Sequence, residues 1–429
     1  MSNFLNDMWE VTGTDIESFE EELKNIGRKT LVEEVKMDEV YFLSVSDFGS
    51  GYTAVPLQAN SIWRKTKSSL LLKRYDVDKD SYLRRGYEEN TINEAFANGL
   101  FIVTSKKRPS QNKIKEMIEN GSYIPVSQKA MGTISNRISK RGNGFLSDDL
   151  IRDLAIAKKF DKPIPVSVVS RLDPEKNVKK IFAVMSKKYS AIPQNMILEI
   201  LKKIEEKGEK DFGKAECVGW SINHSLTRIY VEFPGCGKEF MEMYGYPDEI
   251  IPGIMVETSD IGDCSLRVRG YYRDDVTKAI FYLEDECVQM HIGDIDTDEI
   301  LEMVKTNIFA KLTWYPERLA ELMEIDIVDD SMKPAVKKRI LSSLYRKISR
   351  EIGLVKAITK AKEKVLMEQL IDSINTDLSY TAYDIAITFL TLASYVETEN
   401  KGVIEAIAKT APAVMKFKFV EEEEDLLVV

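Results

Sequence analysis

The sequence predicts an α+β fold in which a mixed or antiparallel sheet region is followed by a helical C-terminal region. Three observations predict this class. A short amphipathic helix and alternating strand-like segments open the chain of 429 residues. From residue 215 to residue 291, short apolar runs separated by turn residues are typical of an antiparallel sheet. After Asp296 the apolar residues recur at the three-to-four residue spacing of helices.

The N-terminal elements follow from local patterns. Thr14 and Glu17 predict a capping box for a first helix that ends at Gly27. The apolar face of that helix is predicted to contain Ile16, Phe19, Leu23 and Ile26. Residues 30–35, 40–45, 70–75 and 100–104 are predicted strands, and residues 113–120, 128–140 and 148–160 are predicted helices.

The second half of the chain is assigned in the same way. Strands are predicted at residues 165–170 and 178–189, and a helix at 193–207 is predicted to end at Gly208. Later helices are predicted to begin at Thr297 and to occupy residues 334–352, 354–375 and 382–398. We therefore predict an N-terminal α+β region at 1–120, an α+β core at 121–295, and a helical region at 296–429 that ends in an acidic tail.

Several function classes lack the residues that they need. The four cysteines include no Cys-x-x-Cys pair, and His224 and His291 are the only histidines, so neither a zinc site nor a nucleophilic triad is expected. The Gly-containing turns carry no phosphate-binding fingerprint. We expect no enzyme activity, metal or cofactor. Without a signal core or a roughly 20-residue apolar run, a cytoplasmic protein is expected.

The charge distribution is uneven. The whole chain carries −10, yet residues 51–140 carry +8 and residues 331–364 carry +9. Phosphate backbones respond to local charge. The candidate nucleic-acid-binding residues are therefore the cations of these segments and one tryptophan, namely Trp63, Arg64, Lys65, Lys67, Lys73, Arg74, Arg84, Arg85, Lys106, Lys107, Arg108, Lys337, Lys338, Arg339, Arg346 and Lys347. Trp63, Tyr75 and Tyr87 are the candidates for stacking on bases.

Two strand-like segments about 75 residues apart carry a resemblance. The first, Val178–Tyr189 (VKKIFAVMSKKY), contains Ser186 and Tyr189 and follows Arg171, and the second, PGIMVETSDIGDCSLRVRG, provides Gly253, Ser259, Gly262 and Arg267. Over roughly residues 120–275 this arrangement resembles the phage- and plasmid-borne family known as domain of unknown function 932. The Cys-Thr-Asn-Gly run of that family is replaced in this chain by YYRDDVTKAI. The resemblance implies a mobile-element setting and no particular reaction. The strand ends and the turn themselves explain most of these polar residues.

These observations favour a non-enzymatic, phage- or plasmid-encoded protein that handles single-stranded nucleic acid in replication or recombination. The alternative is a self-assembling or virion structural protein, in which acidic residues 1–50 pair with basic residues 51–140 of another subunit. A further alternative is an inhibitor of host defence. A homo-oligomer is expected, with no membrane partner. The acidic C-terminal run EEEED has two interpretations, a competitor for a basic groove or a frayed end.

Overall fold

The chain is an α+β protein. In the computed structural model the described residues are 4–47, 51–56, 75–104, 110–134, 163–189, 192, 194–235, 250–274, 280–289, 297–392, 406–407 and 409–419. None of the helices within these ranges has the length and apolar character that crossing a bilayer requires.

The strands occur along the whole described chain. In order they are β1 (Glu10–Gly13), β2 (Thr30–Lys36), β3 (Val40–Asp47), β4 (Tyr52–Pro56), β5 (Tyr75–Val77), β6 (Leu100–Thr104), β7 (Ile124–Pro125), β8 (Pro165–Asp173), β9 (Val178–Ser186), β10 (Glu216–Asn223), β11 (Thr227–Glu232), β12 (Ile250–Thr258), β13 (Leu266–Asp274), β14 (Ile280–Gln289), β15 (Asp326–Val328) and β16 (Tyr380–Thr381).

The helices that accompany them are concentrated in the second half of the chain. They are α1 (Ile16–Arg28), α2 (Asp80–Arg84), α3 (Glu89–Asn98), α4 (Gln111–Glu119), α5 (Gln128–Ile134), α6 (Gln194–Phe212), α7 (Thr297–Met303), α8 (Ala310–Met323), α9 (Pro334–Glu351), α10 (Leu354–Ala357), α11 (Lys360–Asp372) and α12 (Ala382–Leu390). A π-helical stretch, Val304–Phe309, joins α7 to α8, and a 3₁₀ helix covers Ala411–Lys416.

Antiparallel pairing arranges these strands into three main sheets. The largest has the order β1-β10-β11-β12-β13-β14, a five-stranded sheet has the order β5-β4-β3-β6-β7, and a three-stranded sheet has the order β2-β8-β9. The strands β15 and β16 form a separate pair. The N-terminal strands β1 and β2 pair with β10 and β8, so hydrogen bonds cross the boundary predicted at residue 120.

The main hydrophobic core lies on one face of the six-stranded sheet. It combines core-facing strand residues with α1, α6 and the C-terminal helices, and extends along the chain from Trp9 to Phe419. This core therefore also crosses the boundary predicted at residue 295. Side chains alternate between the two faces of a strand, so the residues between the core-facing positions lie on the opposite face of the sheet.

The helix ends predicted at Gly27 and Gly208 are both wrong. Asp15 caps α1 by accepting the backbone N–H of Ser18, which leaves Thr14 outside the helix, and α1 continues through Gly27 to Arg28. Gly208 lies inside α6. A Cβ atom built on Gly208 would come within 2.1 Å of the Phe233 ring, so this glycine permits close helix–sheet packing.

Candidate nucleic-acid interface

The six-stranded sheet presents a polar face on the side away from the main core. On β11, Ile229 and Val231 are buried in that core. The alternate residues Arg228, Tyr230 and Glu232 therefore project from the other face. The same alternation continues on β13 and β14. We name this surface the arginine–tyrosine face, and define it by Arg228, Tyr230, Glu232, Glu257, Arg267, Arg269, Tyr271, Arg273 and Tyr282.

The first ionic row of this face runs across β11, β12 and β13. The strand register sets Arg228 opposite Glu257 and Glu257 opposite Arg267. Arg228 Nε donates to Glu257 Oε2 at 2.7 Å, and a guanidinium nitrogen of Arg267 lies 3.6 Å from Glu257 Oε1. The Glu257 side chain is buried, whereas those of Arg228 and Arg267 remain 30% and 26% exposed. One buried carboxylate thus positions two guanidinium groups that still contact solvent.

A second row repeats this arrangement further along β13. Arg273 donates two hydrogen bonds to Glu232, at 2.8 Å from Nε and 2.7 Å from a terminal nitrogen. The Tyr271 hydroxyl donates to the same carboxylate at 3.2 Å. The Arg273 side chain is 20% exposed and Glu232 is buried. The guanidinium of Arg273 is therefore held in place before any ligand arrives.

Three tyrosine rings lie between these rows, of which Tyr271 is fully buried and Tyr230 and Tyr282 are partly exposed. The Tyr271 ring centroid is 5.8 Å from that of Tyr230 and 6.2 Å from that of Tyr282. The Arg269 guanidinium carbon lies 5.3 Å from the Tyr282 centroid, which is cation–π geometry. Burial raises the pKa of the Tyr282 phenol, so it stays protonated at neutral pH.

Gly253 makes room for this aromatic cluster. It stands opposite Tyr271 in the β12–β13 register. A Cβ atom at Gly253 would come within 2.4 Å of the Tyr271 ring. Gly253, one of the residues of the sequence resemblance, therefore leaves space for the Tyr271 ring to lie across β12.

The described side chains of the arginine–tyrosine face carry an excess of positive charge. Its described side chains include four arginines and two glutamates, and Glu286 pairs with Arg269 in the backbone register. Guanidinium groups bind phosphate through paired N–H donors, and tyrosine rings stack on bases. This combination is suited to a flexible polyanion with exposed planar rings. Within the described residues, no group of three or more potential ligands is arranged to hold a metal ion.

Most of the binding residues predicted near the N-terminus fall where the structure gives no description. These are Trp63, Arg64, Lys65, Lys67, Lys73, Arg74, Lys106, Lys107 and Arg108. Arg84 is described and forms a 2.6 Å ion pair with Asp78. Arg85 is exposed, and its guanidinium carbon lies 5.6 Å from the Tyr87 ring centroid.

Tyr75 and Tyr87 do not serve as exposed stacking platforms, and that prediction is wrong. Both rings are buried in the hydrophobic cluster of the five-stranded sheet. The Tyr87 hydroxyl donates to the Lys179 carbonyl oxygen at 2.7 Å. Tyr75 belongs to β5 and Tyr87 to the loop after α2, and both rings point into the interior.

The predicted basic helix corresponds to α9. Lys338, Arg339, Arg346 and Lys347 are exposed. Lys337 is buried and donates to the Leu378 carbonyl oxygen at 3.0 Å, so its inclusion among the contact residues is wrong. Because α9 buries Leu341, Tyr345 and Ile348 in the main core, this helix lies on the core side of the six-stranded sheet. The structure therefore separates its cations from the arginine–tyrosine face.

Four of the residues that carry the family resemblance, Arg171, Tyr189, Ser259 and Gly262, lie at a junction between the six-stranded and three-stranded sheets. Both terminal nitrogens of buried Arg171 donate to Asp260 at 2.7 Å. The Tyr189 hydroxyl donates to the Ser259 carbonyl oxygen at 2.9 Å. Gly262 has φ +81°, and a Cβ there would lie 3.1 Å from Met185. These contacts join two segments that are distant in sequence, which is a structural role.

Sequence reasoning missed the arginine–tyrosine face although a signal was present. In β13 the residues Arg267, Arg269, Tyr271 and Arg273 recur at every second position. A period of two places them on one side of a strand. Segment-wide charge counting overlooked the pattern because acidic residues surround it in the sequence.

Comparison of the chain with protein-family models, curated proteins and solved structures returned no match. The resemblance to domain of unknown function 932 therefore stays a prediction.

Proposed function

We propose that this chain is a non-enzymatic, phage- or plasmid-encoded protein that binds single-stranded nucleic acid during replication or recombination. The observation that carries the proposal is the arginine–tyrosine face, where the partly exposed guanidinium groups of Arg228, Arg267 and Arg273 lie beside the partly exposed rings of Tyr230 and Tyr282. Guanidinium groups contact phosphates while rings stack on bases without reading their sequence. Flat sheet surfaces bind unpaired strands because the bases can be splayed across them.

The dimensions of the face fit a short stretch of nucleotides. Its arginines and tyrosines extend from β11 to β14, a width of about 14 Å at the usual strand spacing. Along β13, Arg267 and Arg273 are six residues apart, or about 20 Å. An area of this size matches binding sites of roughly 4 nucleotides or more.

The buried glutamates support binding because they fix the arginines. Glu257 accepts from Arg228 and lies near Arg267, so this row retains a net positive charge. Immobilising a free side chain costs about 0.5–1.5 kcal/mol on binding. Arg228 and Arg273 are already held by their glutamate partners in the folded protein, so binding needs to restrict these two side chains much less.

Fluorescence anisotropy with a labelled single-stranded 20-mer tests the proposal. We expect binding that weakens steeply as salt rises, because bound cations are released from the phosphates. Arg267→Gln and Arg273→Gln each remove one charge while keeping a donor for the paired glutamate. Each should weaken binding about tenfold and reduce the salt slope by about one.

Two further variants serve as controls for this experiment. Lys24→Gln removes an exposed cation from a surface pair on α1 and should leave binding unchanged. Arg339→Gln tests α9 as the alternative location. No binding at low salt would refute the function, whereas loss of binding in Arg339→Gln alone would move the interface to α9.

Self-assembly has its own supporting observation. Strand β2 stands at the edge of the three-stranded sheet, and its Val32 is 55% exposed. Exposed apolar edge strands favour pairing with a second copy. Size-exclusion chromatography of Val32→Lys tests this second candidate. A shift from an assembled species to a monomer would support assembly through β2, and an unchanged profile would oppose it.

A further inference from the structure

We infer that the exposed, basic side of the helices α9, α10 and α11 is a second binding surface, and that it takes double-stranded nucleic acid by its phosphates. This surface is separate from the arginine–tyrosine face, so the inference goes beyond the proposed function. Three observations carry it, namely the packing of the three helices, the density of exposed cations on them, and the kind of side chain that accompanies these cations.

The helices α9 and α11 form an antiparallel hairpin that α10 closes. Lys338 Nζ, near the start of α9, lies 3.7 Å from Asp372 Oδ1 at the end of α11. Ser349 Oγ, near the end of α9, donates to Glu363 Oε1 in the first turn of α11 at 2.7 Å. Gly353, with φ +73°, turns the chain between α9 and α10. The last turns of α9, the whole of α10 and the first turns of α11 therefore lie together at one end of the hairpin.

The exposed side of α9 carries a straight row of arginines. Arg339, Arg346 and Arg350 are spaced by seven and four residues, and this spacing puts them on one line along a helix. All three side chains are exposed, while Leu341 and Ile348 on the other side of α9 anchor the helix in the main core. At about 1.5 Å per residue the row is about 17 Å long. A duplex has one phosphate charge for about every 1.7 Å of its axis, so roughly ten phosphates lie within this length.

The end of the hairpin adds further cations to this row. Residues 338–364 contain nine lysines and arginines, all exposed, against the two acids Glu351 and Glu363. Glu363 is half-buried and already accepts the hydrogen bond from Ser349. Six of the cations form no ion pair with a carboxylate in the described part of the chain, and we name them the basic hairpin: Arg339, Arg346, Arg350, Lys356, Lys360 and Lys362. Clustered cations without local partners create a positive potential that attracts a polyanion.

The basic hairpin offers charge without a ring on which bases could stack. Tyr345 is the only aromatic residue between residues 334 and 372, and it is buried. Unpaired bases bind by stacking on aromatic rings, whereas the bases of a duplex are already stacked and its phosphates are bound by cations. A duplex also carries about twice the charge per unit length of a single strand. The basic hairpin therefore suits a duplex better than a single strand.

The exposed apolar side chains of the hairpin argue against a lipid surface as the occupant. On α10 and α11 the large exposed apolar residues are Val355 and Val365. Helices that bind membrane surfaces insert larger side chains such as Trp, Phe and Leu. Charge complementarity with phosphates is therefore the main attraction that this surface provides.

The position of the basic hairpin has a consequence that rests on the proposed function. Helix α9 lies on the core side of the six-stranded sheet, and the arginine–tyrosine face lies on the other side. A duplex and a single strand can thus be held at the same time, as at a junction between paired and unpaired nucleic acid.

Fluorescence anisotropy with a labelled 20-base-pair DNA duplex tests the inference. A triple variant, Arg346→Gln with Arg350→Gln and Lys360→Gln, removes three charges from the basic hairpin. We expect duplex binding about tenfold weaker or more at low salt, and a salt slope reduced by about three. A second variant, Lys356→Gln with Lys362→Gln, removes the neighbouring charges and should reduce the slope by about two.

A matched control removes the same number of charges elsewhere. Lys24→Gln with Lys113→Gln and Lys115→Gln neutralises three exposed lysines that form surface pairs on α1 and α4. It should change duplex affinity less than about twofold, because only the general charge is altered. Far-UV circular dichroism should be the same for all variants, since every substituted side chain is exposed.

The single-stranded 20-mer separates this inference from the proposed function. Duplex binding that is lost in the triple variant supports the inference even if the 20-mer does not bind. Equal duplex affinity of the wild type and the triple variant, or no duplex binding at low salt, would overturn it and leave the proposed function standing. An equal loss of duplex and 20-mer binding in the triple variant would overturn the preference for a duplex. Sedimentation with phosphatidylserine vesicles in the absence of duplex binding would make the surface a membrane contact and also overturn the inference.

Discussion

The ion pair between Arg171 and Asp260 should contribute more to stability than any exposed pair among the described residues. It joins β8 to the turn after β12, and therefore holds two sheets together. The Arg171 guanidinium also donates to Thr30 and, at 3.1 Å, to the His224 carbonyl oxygen. Arg171→Met and Asp260→Asn remove the two partners separately, and have different consequences.

The exposure of each partner sets the expected magnitude. The Arg171 side chain is fully buried, whereas that of Asp260 is 32% exposed. Asp260→Asn leaves a buried guanidinium without its counter-ion, which costs about 3–5 kcal/mol. Arg171→Met leaves a carboxylate that water can partly solvate and replaces the cation by an apolar chain, so we expect about 2–3 kcal/mol. The double variant should cost no more than Asp260→Asn alone.

Urea unfolding followed by circular dichroism gives these differences as shifts of the transition midpoint. Lys24→Met provides the control, because the exposed pair between Lys24 and Glu20 should contribute under about 0.5 kcal/mol. A loss below about 1 kcal/mol in both Arg171→Met and Asp260→Asn would refute the reasoning. A larger loss in Arg171→Met than in Asp260→Asn would contradict the argument from exposure.

Three other outcomes are expected. Gly208→Val should destabilise by about 1–3 kcal/mol in urea unfolding, because a Cβ atom would overlap the Phe233 ring, whereas Gly219→Ala, with open space at its Cβ, should cost less than about 1 kcal/mol. Burial, and to a smaller extent the positive charge of Arg171, holds the pKa of His224 well below 6.5. Just below pH 6.5 the unfolded state therefore binds a proton at His224 that the folded state does not bind. The unfolding free energy should therefore fall as pH drops below about 6.5, and a pH series on His224→Leu should lack that component. Burial raises the pKa of Cys264 to about 12, so iodoacetamide at about pH 8 should modify it only after unfolding, as peptide mass spectrometry would show.

The sequence predicted the fold class and many elements because their signals are local. Strand β6 lies at the predicted residues, and β2, β3 and β8 begin where expected. Helix ends were harder to predict. Gly208 resembles a helix terminator, yet its missing side chain serves packing against Phe233, a contact between distant segments that no local pattern contains.

The candidate site was harder to predict because it is assembled across strands. Arg228, Glu257 and Arg267 belong to three strands, and only the register brings them into one row. Counting charge along the sequence favoured α9, whose cations lie on one helix. Burial of Lys337 shows why such counts mislead, since a lysine on an amphipathic helix can lie on the buried side.

The chain uses arginine in two physically different ways, and exposure distinguishes them. Arg171 is fully buried and has protein partners on both terminal nitrogens, which makes it part of the packing. Arg267 and Arg273 also pair with buried glutamates, but each keeps a fifth or more of its side chain in solvent. A phosphate can reach the second kind without displacing the glutamate. Raising the salt concentration should therefore weaken ligand binding at Arg267 and Arg273 while leaving the stability supplied by Arg171 almost unchanged, because screening acts on exposed charges far more than on buried ones.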